Sequence, residues 1–439
     1  MLITIPSSFS PEIQYTFEIL MQEFLGIDIK FIISPTAKDY ILSADDMKSV
    51  KIINHFFSQI TESAGYFKSG YLPRAIQYWS DATLTIQDLP VLYGLPRLEE
   101  TNEGYILQAD IISSSYFMLS RWEEVIDTQL DIHLRVQGKN SIANKYNFLH
   151  RPIVNEYADL LWTLLVKSGY RGQRKLHQYQ AFATHDVDQP YQWPDWHTSL
   201  KHLGGDLLKR KDISLATTHI KSLYATKVKG KSDPFDQHQY LLDLAYKYQH
   251  QACFNFIVSN RSKFDQSLSS SDPRLKAMID SIETAGHLIG YHPGYEVYLD
   301  QKIFNEELAT LQLLVKQKIM AGRQHYLRFK VPDTWRLWDQ ASMEWESTLG
   351  YADIPGFRCG TCYTYTVFDC KAGKKMKVKE KPLILMDATL IYYQRNWDAG
   401  DLLQLKNECK KHGGEWVTIV HNDLVKHPAL KGLEELFYG

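Results

Sequence analysis

The chain has 439 residues with 49 Lys and Arg against 51 Asp and Glu, a formal charge of −2, and that balance argues against a nucleic-acid partner for the whole chain. Its length predicts two or three domains with ample core, and five cysteines, an odd number, argue against a disulfide framework and suit a reducing compartment. Met1-Leu2-Ile3-Thr4-Ile5-Pro6 lacks the basic start and long apolar region of a secretion signal, and no run approaches the ~18 apolar residues of a membrane span. A cytoplasmic protein is expected, acting on a substrate available before export.

The first part of the chain, residues 1–172, reads as an α+β domain with no assigned role. Trp79, Trp122 and Trp162 with many tyrosines indicate a core, and Ser113 to Glu124 followed by Asp131-Ile132-His133 suggests helix and loop on a small mixed sheet. No catalytic set stands out there. The basic, polar stretch from Lys167 to Lys175 marks the expected boundary.

Beyond it, Ala181 to Asp188 is an apolar run that ends in two carboxylates, Asp186 and Asp188, two residues apart. Alternation along an extended backbone puts both on one side, so one can ligate a divalent cation while the other stays free as a base; the plain alternative is a cap or turn. Tyr191, Trp193 and Trp196 follow and suit either stacking on a sugar ring or packing over a rim. A basic helical insertion near 197–235 is then expected, with eight Lys and Arg against two Asp between 201 and 231. It reads as a solvated insertion or, functionally, as a surface for an anionic glycolipid or membrane headgroups.

Strand and helix patterns then alternate. Ala252 to Val258 reads as a strand, Leu275, Met278, Ile279 and Ile282 as a helical stripe, and His287 to His292 as a short strand. Leu308, Leu311, Val315 and Ile319 form another stripe, and His325 to Phe329 the next strand; Asp333 is a plausible helix N-cap. Cys359-Gly360-Thr361-Cys362 has the spacing of a redox or zinc pair but lacks a second pair, so both read as buried thiols. Pro382 to Asp387 is an apolar strand ending in a carboxylate, Asp398 to Lys411 a helix closed by Gly413-Gly414, and Glu415 to His421 a final strand ending in histidine. In parallel α/β architectures sites are built at the carboxyl ends of strands, where Asp186, Asp188, His292, Asp387 and His421 all fall.

Thr184-His185-Asp186-Val187-Asp188, Gly290-Tyr291-His292-Pro293-Gly294-Tyr295, Arg323-Gln324-His325-Tyr326-Leu327-Arg328-Phe329, Gly356-Phe357-Arg358-Cys359-Gly360-Thr361, Leu385-Met386-Asp387-Ala388-Thr389 and Val420-His421-Asn422 together resemble the ordered motifs of the polysaccharide deacetylases. The resemblance covers about residues 180–425 and is closest to a bacterial branch with an extra N-terminal domain, associated with surface-polysaccharide biosynthesis. It implies an α/β fold, a distorted (β/α) barrel over 173–439, and metal-dependent removal of N- or O-acetyl groups from sugars. By the same resemblance Asp186 is the catalytic base, Asp188 and His292 ligate one divalent ion, zinc first, and His421 is the general acid. Arg358 or Arg328 would hold Asp186, and Asp387 would orient His421. The family's usual second histidine, four residues after the first, is replaced here by Glu296, which leaves His325 or Glu296 as third ligand, with His325 favoured. An acetylated sugar or glycolipid-linked saccharide is the implied substrate. The competing reading is a sugar-binding or scaffold protein on the same fold that has lost activity with that histidine.

Overall fold

Ile3 and Ile5 point inward while Leu2 and Thr4 do not, and this period of two makes Leu2–Pro6 the strand β1. In this computed structural model, which describes residues 1–439 apart from 62–64, 127–128, 206–207, 209 and 395, two compact units are present. The first holds Met1–Gln180, Tyr326–Leu385 and Tyr393–Val417; the second holds Ala181–His325, Met386–Tyr392 and Thr418–Gly439.

In the first unit β1 joins β2 (Lys30–Ser34), β3 (Tyr40–Ser43), β4 (Ser49–Ile52), β7 (Gly94–Thr101) and β8 (Gly104–Ala109) in a mixed sheet of order β2-β1-β3-β4-β8-β7, while β5 (Gln77–Asp81) and β6 (Ile86–Val91) pair separately. The helix Ile111–Ser120 is buried along its whole length despite four serines. Ser114, Ser115 and Ser120 each donate a hydroxyl to the carbonyl four residues back, which satisfies them without water. Asp110 caps the helix by accepting from Ser113 N at 3.0 Å. The later segments belong with this core because Tyr15 and Tyr365 hydroxyls donate to the carbonyls of Thr366 and Leu119, and Asp353 accepts from Gly138 N. The chain therefore passes between units more than once, not only near 172.

The second unit is built on parallel strands β9 (Gln180–Val187), β10 (Cys253–Phe256), β11 (Leu288–Tyr291) and β12 (Ala321–Gly322), in the order β12-β11-β10-β9. Helices Pro273–Thr284 and Gln301–Gln312 supply the crossovers that parallel pairing demands. Leu275, Met278, Ile279 and Ile282 give the first its buried stripe, and Asp272 and Asp300 cap the two. Among the described residues no set of strands closes into a ring, so the class is mixed α/β with several sheets and the expected barrel closure is not seen.

Three expected elements differ. The run His325 to Phe329 is not a strand: β12 ends at Gly322, and a tight turn follows with Tyr326 at φ 59 and Leu327 at φ 54. The stripe from Leu308 to Ile319 leaves its helix at Gln312. Asp333 opens its helix, but Pro332 holds the cap position and no side chain caps it. The basic insertion forms helices Trp196–Gly205 and Ile213–Lys227; its positions 206–207 and 209 lie outside the described residues.

Candidate metal centre

β9, β11 and β12 run parallel, so their carboxyl ends lie at one edge of the sheet, and each delivers a polar side chain there. Asp188 follows β9, His292 follows β11, and His325 follows β12. One carboxylate oxygen and two imidazole nitrogens from these residues lie within 4.8 Å of one another. His292 Nε2 is 3.1 Å from Asp188 Oδ1, and His325 Nε2 is 3.5 Å from Asp188 Oδ2.

The two histidines are aimed by what lies behind them. His292 Nδ1 meets Arg323 O at 2.6 Å, and His325 Nδ1 meets Asp265 Oδ1 at 3.0 Å, so both rings turn Nε2 toward Asp188. Asp265 is itself fixed by the backbone N–H groups of Tyr295 and Ser262. Two imidazoles braced from behind and one carboxylate, whose buried Oδ1 has no hydrogen-bond partner, fit a zinc-like divalent ion with an open position. Burial disfavours a charged His325, but Asp188 and Asp265 on either side outweigh it and push its pKa up to about 9. Burial likewise disfavours a charged Asp188, and the facing histidines overcome it and hold the carboxyl well below its ordinary range. Glu296, the other sequence candidate, is exposed and does not belong to this donor set.

Asp186 sits beside the set, buried, with Oδ2 3.8 Å from His292 Nε2. Its Oδ1 accepts from Arg323 Nη1 at 2.9 Å and Asn255 Nδ2 at 2.7 Å. Burial pushes this carboxyl up, but Arg323 first, then His292 and His421, bring it below the ordinary value. Asn255 can lie against β11 because Gly290 stands opposite: a Cβ there would collide with Asn255 Oδ1.

His421 approaches from another strand end, with Nε2 3.9 Å from Asp188 Oδ2. Asp387 grips it twice, accepting from its backbone N at 2.7 Å and lying 2.6 Å from its Nδ1. Burial opposes the imidazolium, yet Asp387, Asp188 and Asp186 together raise its pKa well above the usual value. Asp423, next to these acids, is pushed up to about 6, chiefly by burial.

Arg358 corrects the sequence expectation. It lies in the first unit, where Nε and Nη2 bind both oxygens of buried Glu124 at 2.9 and 2.6 Å, Nη1 donates to Gly350 O, and the guanidinium stacks on Tyr351. A buried carboxylate requires such a partner, and Glu124 takes this one. Arg328 also belongs to the first unit and donates to His133 O. The cation on Asp186 is Arg323, which the sequence placed in a motif without a role. Asn255 and Asp265 were missed as well; a glycine opposite an asparagine in paired strands was the signal for the first, and nothing local marked the second.

Of the aromatic residues, Trp193 is buried and donates to Ser222, Tyr191 carries the Arg274 guanidinium over its ring, and Trp196 is 54% exposed. All five cysteines are buried and none is in a disulfide. A second acidic and histidine set, Glu156, Glu408 and His412, occurs in the first unit. Arg151 binds both oxygens of Glu156, Lys411 reaches Glu408, and Asp159 holds His412, so its charges are already balanced by an ion-pair network.

Residues 1–170 match the model of a family described as "Family of unknown function (DUF7033)". No curated protein matches the chain. Among solved structures, the chain is similar to a crystal structure from Mycobacterium smegmatis described as a candidate polysaccharide deacetylase, with 17% identity over 58% of this chain and 82% of that one and a TM-score of 0.35. Likeness at that level defines neither fold nor activity. No helix among the described residues is long and apolar enough to cross a membrane.

Proposed function

We propose that the second unit is a metal-dependent hydrolase that removes an N- or O-linked acetyl group from a sugar in surface-polysaccharide biosynthesis, acting in the cytoplasm before export. The observation that carries this reading is the convergence of Asp188, His292 and His325 within 4.8 Å, beside Asp186. The motif resemblance supplies the substrate class, an acetylated sugar or glycolipid-linked saccharide.

Asp188, His292 and His325 would hold one divalent ion, zinc by donor chemistry, which when bound supplies a Lewis acid for water and for the acetyl carbonyl. Asp186 keeps Oδ2 toward the site because Arg323 and Asn255 occupy Oδ1, and Oδ2 takes the proton of the attacking water. Its lowered pKa keeps it ionised and ready to accept. His421, whose pKa Asp387 raises above the usual imidazole value, gives a proton from Nε2 to the departing amine or alcohol, a step worth roughly 10²- to 10⁴-fold in rate. Asp387 fixes the ring through Nδ1, so Nε2 is the nitrogen that faces outward. Arg323 and Asn255 position Asp186 and do not act on the substrate.

Elemental analysis of the purified chain, paired with acetate release from acetylated sugars, tests this. A bound divalent ion and metal-dependent acetate release are expected. An ion-loaded protein that releases no acetate from any N- or O-acetylated sugar would overturn the reading.

A further inference from the structure

We infer that the outer face of the helix Ile213–Lys227 is a membrane-contact surface that seats this chain on anionic lipid headgroups. The inference rests on the proposed function only for its purpose, access to a lipid-linked saccharide; the surface itself is argued from the helix.

Ala216 and Leu223 are the buried positions of this helix, seven residues apart on its inner side. An ordinary solvated helix would then be polar outside. Here Ile213, Ile220, Tyr224 and Val228 are between 51% and 75% exposed. Their offsets of seven, eleven and fifteen from Ile213 place all four on one stripe, with Thr217 between. Scattered exposed apolar residues need no account, but a continuous outward stripe does. The neighbouring helix Trp196–Gly205 packs against this one, with the His202 and His219 rings stacked at 5.0 Å, and it too exposes Trp196 and Leu200.

Charge selects the occupant. Residues 201–231 carry eight Lys and Arg against two Asp, whereas the whole chain is formally −2. Lys229 Nζ lies 5.4 Å from the centre of the Tyr224 ring, so cations border the apolar stripe. An apolar stripe flanked by lysines matches the boundary between acyl chains and anionic headgroups. A second copy of the same face would set these positive charges against each other, which disfavours self-association there.

Sedimentation of the full chain with vesicles tests the inference without any substrate. The chain is expected to pellet with phosphatidylglycerol-containing vesicles, to pellet much less with pure phosphatidylcholine, and to come off as salt is raised. Ile220→Asp combined with Tyr224→Asp should cut partitioning at least about tenfold, since both side chains leave the apolar stripe. Lys221→Glu with Lys229→Glu should reduce it on anionic vesicles alone. Because these side chains are exposed, circular dichroism should be unchanged, and acetate release from a water-soluble acetylated sugar should match the parent. Loss of acetate release in every form with vesicle binding intact would fault the proposed function and leave this surface standing. No binding to anionic vesicles at low salt, or binding unaffected by the double Asp variant, would overturn it. So would a dimer in sedimentation equilibrium that the double Asp variant splits.

Discussion

Asp186 and Asp188 share one strand end yet meet different surroundings, and that difference suits the separate roles proposed for them. Asp186 is buried with one oxygen held by Arg323 and Asn255, whereas the Asp188 side chain is 27% exposed and faces three imidazole Nε2 atoms. Asp186→Asn should keep the metal and lower acetate release by about 10²- to 10⁴-fold, while Asp188→Asn should lose both. Elemental analysis beside the acetate assay decides it; equal metal loss in both variants would show the roles merged. His325→Ala should weaken metal binding by at least the 10- to 100-fold typical of losing even an outer partner, and Glu296→Ala should leave it unchanged. Titration with a competing chelator reads both, and an unaffected His325→Ala protein would remove His325 from the centre. The residues that converge here were legible in the sequence where each closes an apolar run, as Asp186, Asp188, His292 and His421 do. Arg323, Asn255 and Asp265 were not, because their roles come from neighbours brought in by strand pairing.

At the scale of elements, β10 and β11 show how a sheet can position a side chain that touches no ion. Asn255 pairs with Gly290 and with Asp186 across the two neighbouring strands, so its amide spans the space between them. Gly290→Ala would put a methyl group where Asn255 Oδ1 now lies, forcing the amide away from Asp186. The expected result is a fall in acetate release with metal content retained, matched by Asn255→Ala. Each should cost about 1–3 kcal/mol of stability, the usual penalty for leaving a buried polar group short of a partner. Thermal unfolding and the acetate assay on both variants check this, and full activity in Gly290→Ala would show that Asn255 does not matter. The helices and strands around this pair were readable from apolar spacing. The turn after β12 was not: Leu327 and Phe329 are buried and apolar, as a strand would be, but positive φ at Tyr326 and Leu327 breaks the extended path. That turn leaves His325 just past the strand end, a position no periodicity could reveal.

On the scale of the whole molecule, buried charge divides into sets with different purposes, and Arg358 shows how the first unit uses its own. Glu124 accepts from both Arg358 and Arg121, whose guanidinium also reaches Glu123 and the Tyr351 hydroxyl. Burial works against the Glu124 carboxylate, but Arg358 and then Arg121 outweigh it and hold its pKa below the ordinary value. A carboxyl depressed in this way contributes stability that is present above its unfolded pKa of about 4.3 and is lost as pH falls through the folded value. Glu124→Gln leaves two buried guanidinium groups without their shared acid and should destabilise the chain by roughly 3–5 kcal/mol. It should also flatten the decline in stability below about pH 4, because the group that titrates there is gone. Denaturant unfolding at a series of pH values measures both effects. Metal content per folded chain should stay at the parent level, since Glu124 and Arg358 serve the packing of the first unit. If Glu124→Gln instead keeps the parent stability and loses metal or acetate release, Arg358 belongs to the chemistry after all.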